Sequence, residues 1–205
     1  AAAAAELAAA LPPGTPVVAL QNGIQAAEVA QAAAPGLVLL RGLVGFNVAE
    51  LGPGRLHRGT DSVLAMQAHA GLQPWQAWFE AAGFDLALHE DMLPVQWGKL
   101  LLNLNNAVNA MSGLPLRAQL LDPDLRQCTA GLISETLFLL RQAGIKPARL
   151  TAVRPDRLPW LLRLPTPLFR LLARRMLRID EKARSSMADD LMQRRFLEAV
   201  AGYWD

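Results

Sequence analysis

A single cysteine, Cys128, leaves no partner for an intrachain disulfide in this 205-residue chain. A disulfide-stapled scaffold is therefore excluded, and a reducing, cytoplasmic setting is expected. No apolar run reaches the ~18 residues that a membrane span requires. Charge of one sign is lacking too: 20 Lys and Arg stand against 18 Asp and Glu, a net charge of +2. That balance gives little electrostatic basis for a nucleic-acid partner. The three histidines, His57, His69 and His89, have no i,i+4 metal spacing, so no metal site is expected. No G-x-G-x-x-G occurs, so the usual dinucleotide fingerprint is missing from these residues. The opening AAAAAELAAALPPG has no Met, no charged leader and no cleavage signal, and reads as the middle of a helix.

What is present is apolar material, 52% of the chain, enough for a core and too much for a disordered segment. The charge is divided unevenly. Residues 1–100 hold four basic and eight acidic residues, a net −4. Residues 101–205 hold sixteen and ten, a net +6.

The first region alternates strand and helix signals. Pro12-Pro13-Gly14 stops the Ala-rich helix. Val17–Leu20 reads as a buried strand ending at Gln21-Asn22-Gly23, and Ile24–Ala34 as a helix. Strands are expected at Leu37–Leu40 and Leu43–Val48, followed by a hairpin-like pair from Arg55–His57 and Ser62–Gln67. Pro74–Ala82 suggests an amphipathic helix around Trp75, Trp78 and Phe79, and Phe84–His89 a last strand. Such an order implies a sheet covered by helices. From Met92 onward only helices are expected, over Val95–Met111, Pro123–Ala143, Pro167–Leu177 and Ala183–Val200, with a proline-punctuated connection between the second and third. The domain boundary is placed so that residues 1–91 form the first domain and residues 92–205 the second.

Three segments carry possible chemistry. Asn22-Gly23 ends a strand, where open α/β sheets bind ligands, although Asn-Gly is also a common turn. Trp97-Gly98-Lys99 leads into a helix with Asn103, Asn105, Asn106 and Asn109. Asparagine is a poor helix former, and helical phase gathers Lys99, Asn103 and Asn106 into roughly a 60° wedge. Unpaired, such groups cost about 1–3 kcal/mol each when buried. A ligand bearing carboxylate, carbonyl and hydroxyl groups would satisfy them, as would an inter-helix hydrogen-bond network or an exposed stripe with Lys99 in solvent. The third segment, Ser185-Ser186-Met187 through Asp189 and Asp190 to Glu198, is also explained by a helix cap with acidic first-turn residues. Cys128, in a helix with no nearby His, reads as a buried structural thiol rather than a nucleophile. The arginines between Arg149 and Arg184 read as a solvated face rather than a nucleic-acid groove.

Taken in order, the segments resemble the ketopantoate reductase (2-dehydropantoate 2-reductase) family: Asn22-Gly23, the hairpin Arg55-Leu56-His57-Arg58-Gly59, the Lys99 helix through Asn109-Ala-Met-Ser-Gly113, and Ser185-Ser186-Met187 to Glu198. The resemblance implies an α/β Rossmann-type sheet, here partial, followed by an all-α domain like the C-terminal domain of 6-phosphogluconate dehydrogenase, with the site in the cleft between them. It implies NADP(H) as cofactor and a small 2-oxoacid as substrate, in pantothenate and coenzyme A synthesis. Lys99 would donate a proton to the ketone, with Glu198 accepting from the substrate hydroxyl or orienting Lys99. Asn22, Asn103 and Ser186 would bind substrate, with either Asn106 or Asn109 as the second helix asparagine. Asn22, Asn47 and Glu198 would face the cofactor. Two residues more than the shorter family pattern separate Asn103 from Asn109, and the match decays around Glu198. No membrane or nucleic-acid partner is implied. The apolar, Arg-rich Leu158–Ile179 stretch covers either a partner subunit, in a homodimer, or another helix of its own domain. The missing Gly-rich motif suggests a central segment of such a reductase. The alternative is a non-catalytic binding or interaction module unable to hold NADPH.

Overall fold

In the computed structural model, residues 1–46, 48–50, 53–58, 63–181 and 183–192 are described. The chain divides into two compact units, Ala1–Gln96 and Trp97–Trp204.

In the first unit, helix α1 (Ala2–Ala10) gives way at Leu11 to extended backbone, where the two prolines remove donors. Strand β1 (Pro16–Ala19) runs parallel to β2 (Val38–Val44), with helix α2 (Ala26–Ala33) between them in sequence. Two short strands were expected where β2 is one. Arg41-Gly42 does not break it, because Arg41 pairs with Ala19 and Gly42 with Met66, so the ladder continues on both sides.

Strand β3 (Val48–Glu50) closes antiparallel on β4 (Leu56–Arg58) around the turn at Pro53-Gly54. The expected pairing of β4 with the following strand is thus corrected. Strand β5 (Leu64–Gln67) instead lies between β2, antiparallel, and β6 (Leu86–His89), parallel, giving the order β1-β2-β5-β6. Leu40, Leu64, Met66, Leu72 and Leu86 form the buried cluster of this sheet, with Phe79 packed against it. Trp75 and Trp78 on helix α3 (Gln73–Ala81) do not join Phe79 there. They stand exposed, edge to face, with ring centroids 5.3 Å apart.

The second region is helical, with no strand after β6 among the described residues. It comprises α4 (Leu93–Ser112), α5 (Leu116–Leu121), α6 (Pro123–Gln142), α7 (Leu158–Leu162), α8 (Thr166–Leu172) and α9 (Ser186–Met192). The Asp122 carboxylate caps α6 by accepting from the amides of Asp124 and Leu125. Cys128 on this helix, expected to be buried, is exposed, because it stands off the face that carries Arg126, Thr129, Ala130 and Ile133 into the interior. Leu101, Leu120, Ile133, Leu137, Leu140, Leu158, Leu161, Leu162 and Phe169 form the core. At about 1.5–3 kcal/mol for each large apolar side chain removed from water, this cluster is the main stabilising contact of the unit. Helix α7 was not expected in the proline-rich connection. Pro159 stands in its first turn, where no backbone donor is needed.

Candidate active site

In the first unit the chain leaves β1 at Ala19 and turns through an exposed Asn22. Gly23 follows with φ of +102°, a conformation that a side chain at that position would strain. Its carbonyl accepts a hydrogen bond at 3.3 Å from the Gln96 amide. Asn47, expected on the cofactor, lies outside the described residues.

In the second unit most of the candidate residues lie on α4, whose asparagines divide into two groups. Asn105 exchanges amide hydrogen bonds with Gln119, at 3.3 and 2.9 Å, and also accepts from the Thr129 hydroxyl at 3.1 Å. Gln119 and Thr129 are buried. Asn109 is fully buried. Its amide donates to the Leu114 carbonyl at 3.1 Å and its oxygen accepts from the Ser185 amide at 2.9 Å. Ser185 in turn donates to the Asn106 carbonyl at 3.2 Å and accepts from the Ala188 amide at 3.2 Å, capping α9 and tying it to α4. Asn105 and Asn109 thus form the inter-helix network that was one of the two sequence readings of this helix.

Lys99 and Asn103 are different. Both are half-buried, and neither side chain has a hydrogen-bond or ion-pair partner among the described residues. Burial pushes the Lys99 ammonium below its ordinary pKa, because the charged form loses water. One residue earlier, α4 comes so close to the chain at Ala148 that a Cβ on Gly98 would lie 2.5 Å from the Ala148 carbonyl oxygen. Glycine therefore permits the approach beside Lys99. The neighbouring Trp97 indole N–H is buried without a partner among the described residues.

Asn106 lies half-buried on the Lys99 face, and Ser186, the first residue of α9, is exposed. Lys99, Asn103 and Asn106 therefore share one face of α4, while Asn109 holds Ser185 and so fixes where Ser186 begins. Glu198 lies outside the described residues. The roles of Gln96 and Gly98 were not anticipated, whereas the cap expected of Ser185 is what the Ala188 amide finds there. A glutamine three residues before Lys99 was the available signal for the first. Among the described residues no group of three or more His, Cys, Asp and Glu could hold a metal ion, and no helix is long and apolar enough to cross a membrane.

Residues 1–71 match the family model for ketopantoate reductase PanE/ApbA, and residues 91–203 match the model for its C-terminal domain. No curated protein matches by sequence. Among solved structures, a PanE/ApbA family ketopantoate reductase from Ralstonia eutropha JMP134 is similar, with 22% identity and a TM-score of 0.74, over 94% of this chain and 58% of that one. A dimeric ketopantoate reductase from Staphylococcus aureus has 16% identity and a TM-score of 0.63, over 90% and 58%. A D-mandelate dehydrogenase with NADH and anilino(oxo)acetate has 13% identity and a TM-score of 0.68, over 93% and 59%. The likeness is one of fold, a Rossmann-type sheet followed by an all-α domain. The chain spans about 58% of the length of these relatives.

Proposed function

The chain belongs to the ketopantoate reductase PanE/ApbA family, and on that premise we propose that the protein carrying it reduces 2-dehydropantoate, or a closely related 2-oxoacid, to the 2-hydroxy acid with NADPH. The observation that carries this reading is Lys99: a half-buried ammonium with a lowered pKa and no carboxylate partner among the described residues, beside an equally unpaired Asn103. Those groups suit a ketone oxygen and its neighbouring hydroxyl. NADPH, when bound, would supply the hydride to the ketone carbon. The Lys99 Nζ polarises the carbonyl and gives a proton to its oxygen, so that the product is an alcohol and Lys99 is left neutral until it regains a proton from water. A lowered pKa brings that donor nearer the working pH, where proton transfer is most effective.

Asn103 and Asn106 serve the substrate from the Lys99 face, and Ser186 binds its carboxylate. Asn109 acts by fixing the Ser185–Ser186 step. Asn22, at the end of β1, faces both substrate and nicotinamide, with Asn47 and Glu198 completing the cofactor side. Glu198 also accepts from the substrate hydroxyl or orients Lys99. The exposed end of β1 and the left-handed Gly23 suit the flat nicotinamide end of the cofactor. The Gly-rich turn that would cradle its phosphates has no counterpart among the 205 residues. The protein acts in the cytoplasm. One side of the Leu158–Ile179 stretch packs into the core of its own unit, and its homodimer is formed through the other, where Trp160, Leu168, Leu171 and Leu172 are exposed.

The missing Gly-rich turn favours a second reading for the 205 residues taken alone, a binding module without reductase activity. One experiment separates the two. NADPH oxidation dependent on 2-dehydropantoate is expected from the complete gene product, together with quantitative NADPH binding by nicotinamide fluorescence. If neither the complete product nor the 205-residue chain binds NADPH, the reductase reading fails.

A further inference from the structure

We propose that Glu28, Arg41 and Gln96 form a positioning relay that holds the Gly23 carbonyl and, through it, sets Asn22 for the reaction. The proposal rests on the reading of Asn22 given above.

The relay joins four elements of the first unit. Gln96 is only 4% exposed, and both ends of its amide are used. Its Oε1 accepts from Arg41 Nη1 at 2.7 Å, and its Nε2 donates to the Gly23 carbonyl at 3.3 Å. Arg41 stands on β2 opposite Ala19, the last residue of β1, where the chain departs for Asn22. Its other terminal nitrogen, Nη2, pairs with Glu28 on α2, and its backbone amide donates to the Gln67 side chain at 3.2 Å. The guanidinium is thus held from α2 by Glu28, the Arg41 backbone is tied to the neighbouring strand through Gln67, and the remaining terminal nitrogen is aimed at one oxygen.

That arrangement strengthens the final bond. A cation on Oε1 draws electron density through the amide and makes Nε2 a better donor. The turn has need of it. Gly23, with φ of +102°, lacks the side-chain sterics that would fix its own backbone. Among the described residues, no other side chain bonds to residues 21–24. A glutamine that merely filled its own hydrogen-bond capacity would not require a charged residue braced by a carboxylate behind it.

The discriminating variant is Gln96→Glu in the complete gene product. A carboxylate at 96 keeps and strengthens the contact to Arg41, so that bond survives. It has no hydrogen to give the Gly23 carbonyl, so only the hold on the turn is lost. We expect an unchanged or raised Tm, amide hydrogen exchange over residues 21–25 faster by about tenfold, and kcat for 2-dehydropantoate lower by about tenfold, the worth of one buried hydrogen bond. Gln96→Met, which loses both contacts, should lower Tm as well.

Unchanged exchange over residues 21–25 in Gln96→Glu overturns the relay. So does faster exchange with kcat and KM both within about twofold of the unaltered enzyme, since Asn22 would then not depend on the turn. If the unaltered protein reduces no 2-oxoacid, the reading of Asn22 has failed, and the exchange rates alone decide whether the relay holds the turn.

Discussion

Arg126 and Lys99 are two cations of the helical unit withdrawn from water, and the fold treats them in opposite ways. Arg126 is 1% exposed and nearly saturated. It donates to the carbonyls of Leu120, Leu162 and Leu164 and to the Thr166 hydroxyl, at 3.0–3.1 Å, and its guanidinium lies 4.4 Å from the centre of the Phe169 ring. Every described contact is internal, so this charge holds α5, α6 and the α7–α8 connection together. Lys99 is less buried, yet no described residue answers it. A satisfied buried cation is architecture. A desolvated cation left without a partner keeps its charge available for something that arrives.

That comparison predicts separable losses. Replacing Arg126 with Met should have the largest effect on folding, about 3–5 kcal/mol in a denaturant titration, because three carbonyls lose their donor in one step. Catalysis should be lost only in proportion to the unfolded fraction. Lys99→Met should do the reverse, lowering kcat by about 10²–10³, or roughly 3–4 kcal/mol of barrier, without a fall in Tm. The asparagines should separate in the same way. Asn105→Ala strands the buried Gln119 amide and should cost about 1–3 kcal/mol of stability with unaltered kinetics. Asn103→Ala should leave stability within about 0.5 kcal/mol and raise KM for the 2-oxoacid about tenfold.

The smallest effect has a defined sign. Lys99 has a folded-state pKa below its unfolded value of 10.5. Its charge therefore penalises the folded state most fully below the folded pKa. The penalty is relieved as pH rises through that pKa and vanishes above 10.5. Lys99→Met should raise Tm at neutral pH, with the gain shrinking toward alkaline pH. A gain that grows with pH would mean that Lys99 is paired in the folded protein.

The face carrying Lys99 and Asn103 was legible because helical phase is local information. Which asparagines serve the fold was not, because their partners are remote: Gln119 and Thr129 lie 14 and 24 residues from Asn105, and Ser185 lies 76 from Asn109. Gln96 is 55 residues from Arg41, so the relay has no short-range signature. Trp75 and Trp78 mislead for a related reason. Their spacing is amphipathic, but the sheet offers that face only enough contact for Phe79. The strand order also depended on pairing choices, as when β4 turned back to β3 through a short turn rather than onward to β5.

The central claim, that an unpaired Lys99 is the proton donor, is tested most directly by the pH dependence of kcat/KM for 2-dehydropantoate, which reports the groups of the free enzyme. With Lys99 present, activity should decline as pH rises through its lowered pKa, below 10.5. In Lys99→Met the residual activity should lack that alkaline limb. The same limb in both proteins, or near-normal kcat in the variant, would contradict the account.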